Sequence, residues 1–509
     1  MATDKTKLGG TRFPALYQIN TRVVLGELGR AQGHAATFDD LPDELLDEAA
    51  SRGFSYVWML GVWKTGAMAA ALTLKDPKRM EDFRLSLPDL RDRDIVSSPF
   101  AITAYEVNDE FGGDAALAKL RQRLAKRGLG LLLDFVPNHV ALDHPWVHDR
   151  PELLVGGTVD DLQRQPQNYI RMVTKQGPRI LAHGRDPYFD GWPDTIQLNY
   201  RHAGLREAQL AVLGQIADRC DGIRCDMAML LEPDVIARTW GDRAKPADGS
   251  QPKDNPFWLE ATAAIKRRHP GFLFIAEVYW DMEWTLQQRG FDFTYDKRLY
   301  DRLRDGPARP VREHLMAAPA FSERCLRFLE NHDEPRAAAT FDLQKHRAAA
   351  MISFFAPGMR FVHEGEVEGR RVHVPMQLGR RPVEPVDDGV RAFYGRLFEA
   401  LARPEVHAGS WRLESCRPAW DGNQTADQFI VSTWESQDRR LLVAVNYAPN
   451  QGQCYVVPSL SGLAGKRWRL TDLMNDVQYQ REGTALTDQG LYLDLPPWGY
   501  HAFALEALR

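Results

Sequence analysis

The sequence is poor in the features that mark several protein classes. Only five of its 509 residues are cysteine (Cys220, Cys225, Cys325, Cys416 and Cys454). That odd number, without metal-type spacing, argues against a disulfide scaffold and a structural zinc site. No apolar run approaches the roughly 18 residues that a membrane span requires, so no membrane partner is expected. There is no basic surplus either: 64 Lys and Arg stand against 69 Asp and Glu, a formal net charge of −5. Without a Lys/Arg cluster, nucleic acid is not an expected partner. The opening stretch, Met1-Ala2-Thr3-Asp4-Lys5-Thr6-Lys7, carries no hydrophobic segment behind its charges, and no secretory leader is expected. Solenoid repeats and low-complexity tracts are also missing. Reduced thiols in a cytoplasm are the simplest reading.

What is present is the balance of a folded chain, 44% apolar and 26% charged, too long for one ordinary core. From about residue 14 to 405 one phrase recurs: a short apolar run, a loop, then an amphipathic stretch. Leu16–Leu25 reads as a strand, and Leu41–Arg52 as a helix capped by Asp40. Tyr56–Leu60 is the next strand. Asp114–Arg127 places Leu117, Leu120 and Leu124 on one helical face and stops at Gly128. Leu129–Val136 follows as a continuous apolar strand, buried on both faces. Helix 205–219, strand 222–226, helix 257–268 and strand 272–276 continue the pattern, with shorter strands near Phe291, Leu326–Leu329 and Met359–Val362. Eight strand–helix units predict an α/β fold, a (β/α)8 TIM barrel, over residues 1–136 and 201–405.

Two stretches break the rhythm. Residues 61–112 read as a charged, mostly helical or irregular insertion. Residues 137–200 form an aromatic-rich inserted domain after the third strand, with Trp146, Tyr169, Tyr188, Phe189, Trp192 and Tyr200. Connections this long inside a compact domain are usually functional. After about residue 406 the helical phrase gives way to short strands, and 406–509 is expected to be an all-β sandwich with Trp468, Tyr492, Trp498 and Tyr500 in its core.

Four segments place acids at the ends of predicted strands: Asp134-Phe135-Val136-Pro137-Asn138-His139, Gly222-Ile223-Arg224-Cys225-Asp226, Phe274-Ile275-Ala276-Glu277 and Leu329-Glu330-Asn331-His332-Asp333. Arg224 and Asp226 lie two apart on one strand and so point the same way, with Cys225 turned toward the helices. An unpaired carboxylate at a buried strand end is costly, and Arg224 is placed to compensate Asp226 and keep it ionised.

In this order and position the four segments resemble the signature regions of the α-amylase superfamily, glycoside hydrolase family 13. Gln197-Leu198-Asn199 and Ser98-Pro99-Phe100 with Tyr105 resemble weaker elements of the same family. The resemblance implies a retaining α-glycosidase acting on an oligo- or polysaccharide. Asp226 would be the nucleophile, Glu277 the acid/base and Asp333 the transition-state stabiliser. It further implies sugar contacts from Asp134, His139, Arg224, His332 and Asn331, and aromatic platforms at Tyr105 and Trp146. The Asp226 anion is expected to raise Glu277 toward neutrality. No cofactor is required, with Asn138 a possible ligand of Ca²⁺ and Asp143, Asp149, Asp160 and Asp161 the candidate partner acids. The spacing of His139, His144 and His148 suggests a metal, but nothing else supports one. Many family members continue the second region with Lys and His, where this chain has Met227-Ala228-Met229-Leu230. That departure keeps a glycosyl-transferring or isomerising activity open beside hydrolysis. A non-catalytic carbohydrate-binding protein is the third alternative.

Overall fold

The computed structural model describes residues 11–508; the N-terminal stretch read as lacking a leader lies outside them. Eight parallel strands close into a barrel: Ala15–Asn20 (β1), Tyr56–Leu60 (β2), Gly130–Phe135 (β3), Gly222–Cys225 (β4), Leu273–Ala276 (β5), Phe293–Tyr295 (β6), Cys325–Arg327 (β7) and Met359–His363 (β8). Their spatial order follows the chain, and β8 pairs with β1 to close the ring. The strands are apolar nearly throughout because they are buried on both faces, by the barrel interior and by the surrounding helices. Gly222 is fixed by close approach: a Cβ there would meet the Leu273 carbonyl oxygen at 2.7 Å.

The run Leu16–Leu25, read as one strand, splits in two. β1 ends at Asn20, whose Oδ1 accepts from the Val23 N–H at 3.3 Å and caps a helix over Thr21–Gln32. Asp40 does not cap the next helix. It closes a capping box with Thr37 one turn earlier (2.7 Å), and the helix proper runs Asp43–Ser51 behind Pro42.

The insertion after β2 carries two helices, Ala67–Leu74 and Pro77–Ser86, but also an unforeseen antiparallel pair, Trp63–Thr65 with Ile102–Val107. After β3, His139–Ala141 pairs with Thr195–Gln197, and Tyr169–Thr174 forms a hairpin with Gly177–Ala182. Both insertions follow strand C-termini and stand over that face of the barrel. No helix among the described residues is long and apolar enough to cross a membrane.

The C-terminal part holds a six-stranded and a three-stranded sheet with antiparallel pairings. Phe429, Val431, Leu442 and Trp468 of the larger sheet pack with Cys454, Val456, Leu491 and Leu493 of the smaller one. The opposite face of the larger sheet presents Ile430, Trp434, Val443 and Val445 to the barrel, where they join its core without a break. Trp434 is fully buried there, its Nε1 donating to the Phe355 carbonyl at 2.9 Å and its ring edge-on to Phe13. Of the four aromatics expected inside the sandwich, only Trp468 is. Strict alternation along Leu491–Leu495 turns Tyr492 outward, and Trp498 and Tyr500 pack toward the barrel.

Candidate active site

β3, β4, β5 and β7 deliver the four signature segments to one end of the barrel. The centre of the site is Arg224, 1% exposed, whose guanidinium sits over the rings of Phe100, Trp58 and Tyr295 at 5.3–5.8 Å. Its Nη1 donates to Asp226 Oδ1 at 2.5 Å, its Nη2 reaches Glu277 Oε2 at 2.7 Å, and Asp333 Oδ2 lies 4.0 Å away. Three acids separated by as many as 107 residues in the chain (333 − 226) thus converge on one cation. Asp226 and Glu277 are 6% and 4% exposed, whereas the Asp333 side chain is 41% exposed at the mouth.

Burial raises the Asp226 carboxyl above the usual carboxylate range, against the pull of Arg224, so the arginine compensates less than the sequence suggested. Glu277 is pushed up to about 7, first by burial and then, against Arg224, by Asp226 and Asp333. The sequence-based cause, the Asp226 anion, is therefore secondary to desolvation. Asp333 behaves oppositely: burial would raise it, but His332, 3.0 Å away, together with Arg224 and His373 brings it down to about 2. Two acids with separated proton affinities, one near neutrality, are what acid/base chemistry at pH 7 requires.

Further groups fix Glu277. Its Oε2 accepts from the Met227 N–H at 2.7 Å and its Oε1 from the Tyr279 hydroxyl at 2.8 Å. Met227 adopts φ +42°, a left-handed conformation rare outside glycine, which aims that N–H across to the neighbouring strand end.

The acids open into a cleft of about 450 Å³. His139, His332, Phe100, Trp192, Met227 and Tyr279 line it, with His373 and Met376 from a surrounding loop and Arg79 from the helix Pro77–Ser86. His139 is buried, packed 5.1 Å from Trp192, and burial lowers it to about 4, which leaves a neutral imidazole at pH 7. His332 is oriented from behind by the Gln18 side chain at 2.9 Å.

Other predicted residues lie behind the cleft wall. Asp134 spends its carboxylate on Gly61 N (2.7 Å) and Trp58 Nε1 (3.1 Å), bracing the site instead of lining it. Asn331 Oδ1 accepts from the backbone of Asp333 and Glu334 and shapes their turn. Tyr105 holds Val136 through its hydroxyl and packs on Trp63, away from the cleft, and Trp146 packs on His144. Phe100 and Trp192 occupy the aromatic positions in their place. Met229 and Leu230 are buried in the core, so of the divergent segment only Met227 reaches the cleft. His373 carried no sequence signal, since it comes from a loop brought in by tertiary structure, whereas Arg79 reaches the cleft from the helix Pro77–Ser86 of the charged insertion. Tyr279 follows Glu277 by two residues, a spacing that suggests a shared face.

Most of the oxygens expected to hold Ca²⁺ have partners within the protein, while Gln197 Oε1 beside Asn138 is buried without one. Asn138 Oδ1 already accepts from Gln197 Nε2 at 2.9 Å. Asp149 is paired with Lys175 (2.6 Å), Asp161 with Arg243 (2.8 Å), Asp160 with Arg164, and Asp143 accepts from Met68 N. Among the described residues no three His, Cys, Asp or Glu side chains converge as a metal-binding group. His144 caps a short helix and His148 pairs with Asp149, which removes the spacing-based metal reading as well.

Comparison with known proteins follows the same lines. The family described as "Alpha amylase, catalytic domain" matches residues 100–376, more than half of the chain. The α-amylase MalA of Haloarcula japonica is 26% identical over 355 residues, covering 67% of this chain and 46% of that protein. Alpha-amylase 3 of Dictyoglomus thermophilum is 22% identical over 303 residues, 56% of each. The chain thus spans about half the length of these curated relatives. Among solved structures, the maltogenic α-amylase AmyB of Thermotoga neapolitana superposes with a TM-score of 0.66 at 18% identity, over 98% of this chain and 99% of that one.

Proposed function

Because the chain belongs to the α-amylase family, glycoside hydrolase family 13, we propose that it hydrolyses an α-glucosidic bond of an oligo- or polysaccharide with retention of configuration. The observation that carries the reading is the grouping of Asp226, Glu277 and Asp333 on Arg224 at the floor of an open cleft. Asp226 attacks the anomeric carbon while Glu277 gives its proton to the departing oxygen. The glycosyl–Asp226 ester is then cleaved by water, whose proton returns to Glu277. Asp333, an anion down to about pH 2, accepts from sugar hydroxyls and favours the positive charge that develops on the ring. Retention calls for the Asp226 and Glu277 carboxyls to stand about 5–5.5 Å apart.

The test is direct. Asp226→Asn lowers turnover of an aryl α-glucoside by roughly a thousandfold or more while the folded state persists by circular dichroism. Proton NMR of the first product formed by the wild type shows the α anomer. Unchanged turnover in the variant, or a β anomer appearing first, removes the reading.

A second reading, transfer of the glucosyl group to a sugar acceptor, is supported by the apolar wall of Met227, Pro375 and Met376 beside the acids, which disfavours water. Product chromatography with excess acceptor separates the two. The hydrogen bond that Asn138 Oδ1 accepts from Gln197 supports a catalyst that works without Ca²⁺. The thiols support a reducing cytoplasm: all five cysteines are unpaired and four are buried.

A further inference from the structure

A second, larger groove of about 1090 Å³ opens beside the catalytic cleft on the same face of the barrel. Its walls come from the helix after β1, the insertion after β2 and the loop after β8. A thin partition divides it from the cleft: the Val96 N–H donates to the Gln377 carbonyl at 2.9 Å, and Ile95 bridges Leu378. Gln377 faces the cleft and Val96 the groove.

Six arginines and four carboxylates line this groove. Two arginines are already matched. Arg380 holds Asp89 and Asp94 at 2.9 and 2.8 Å, and Arg381 is paired with Glu27 and with Glu364 behind it. Those pairs occupy three of the four lining acids. Arg22, Arg30, Arg91 and Arg93 remain, and none has a carboxylate within ion-pair distance among the described residues; the one acid left over is Glu110. Six cations against four anions leave the walls with an excess of two positive charges, in a chain whose formal net charge is −5.

Arg30, Arg91 and Arg93 are exposed, and alone they would be ordinary solvated side chains. Arg22 is different. It is partly buried, its one hydrogen bond runs from Nη1 to the Ser97 carbonyl at 2.7 Å, and burial pulls its proton affinity below that of a free arginine. A guanidinium offers five donors, and Arg22 has engaged one of them with a neutral acceptor, which leaves the others open to the groove. An anion of matching geometry takes them up, and phosphate does so with two parallel hydrogen bonds. Leu25 and Phe111 add an apolar floor beside these charges.

The geometry points to a binding site for a phosphate-bearing small molecule, with the phosphoryl oxygens on Arg22 and the rim arginines and the organic part on the Leu25–Phe111 floor. The site is separate from the catalytic acids and shares only the Val96–Gln377 partition with them.

Isothermal titration of the full chain with pyrophosphate and with glucose 6-phosphate, at constant ionic strength, tests this. Saturable binding of pyrophosphate is expected, weakened about tenfold in Arg30→Ala/Arg93→Ala and lost in Arg22→Gln. The double variant alters only exposed side chains and keeps the wild-type rate on a neutral α-glucoside, so a loss of binding in it is not a loss of fold. Heats that never saturate, equal affinity in the wild type and both variants, or glucose binding as tightly as its 6-phosphate would each overturn the assignment.

Discussion

Replacing Tyr279 with phenylalanine removes one hydroxyl and nothing else, at an atom that touches the proposed acid. That hydroxyl donates to Glu277 Oε1 at 2.8 Å, and donation favours the ionised carboxylate over the protonated acid. The variant therefore raises the proton affinity of Glu277 above its present level of about 7. A hydrogen bond to a charged group contributes about 1.5–3 kcal/mol, and a tenfold change in proton binding corresponds to about 1.4 kcal/mol. Complete loss would move the ionisation by about one to two pH units; water entering beside Glu277 restores part of it, leaving about one. In the double displacement Glu277 must begin protonated, so its ionisation sets the alkaline limb of kcat/KM. That limb is expected near pH 7 in the wild type and about one unit higher in Tyr279→Phe, with the acid limb unmoved. The assay is initial-rate hydrolysis of an aryl α-glucoside from pH 4 to pH 10. The reasoning fails if the alkaline limb stays in place or shifts downward, because either outcome means that Tyr279 does not stabilise the ionised form of the group that donates the proton.

Two further perturbations probe the scaffold. Arg327 and Asp296 are each 2% exposed and form a buried ion pair, so Arg327→Met leaves the carboxylate with His314 as its remaining charged partner and lowers unfolding free energy by about 1.5–3 kcal/mol in a denaturant titration; a change below about 0.5 kcal/mol would refute the pairing. Burial would raise Asp296, but His314 and Arg327 hold it near 2, below its unfolded value, so its contribution is present above about pH 4 and fades as pH falls toward 2. That acid loss is expected in the wild type and absent in Asp296→Asn, measured as Tm against pH. Treatment with EDTA should leave Tm and turnover unchanged, since Asn138, Asp149, Asp160 and Asp161 already have partners within the protein; a fall in Tm reversed by added Ca²⁺ would show that these groups rearrange around an ion.

The parts legible in the sequence were those written in continuous apolar runs or in local polar punctuation. The long strands β2 and β3 stand out because burial on both faces leaves no alternation to misread, and the helix 257–268 because Phe257, Trp258, Ala261 and Ile265 recur on one face. The three-residue strands β6 and β7 were harder to delimit, as so short a segment holds too few residues for a period. Leu16–Leu25 misled because the first helical turn after β1 is as apolar as the strand before it, although Asn20 carried the stop. At the site, period two along β4 put Arg224 and Asp226 on one side, and the motif order indicated which acids meet. Sequence could not separate the residues that line the cleft from those that brace it. Asp134, Tyr105 and Asn331 satisfy their polar atoms on nearby backbone and on Trp58, while Phe100, Trp192 and His373 arrive through loops whose paths depend on packing far from them.

The larger sheet of the C-terminal part lays Ile430, Trp434, Val443 and Val445 into the same apolar mass as the barrel helices, with Trp434 hydrogen-bonded to the end of one of them. The sheet is therefore less an appendage than a buttress. Severing the chain ahead of Ser410 would strip a greasy flank bare on the remaining barrel helices, so the two halves are expected to melt in a single calorimetric step and neither to survive alone.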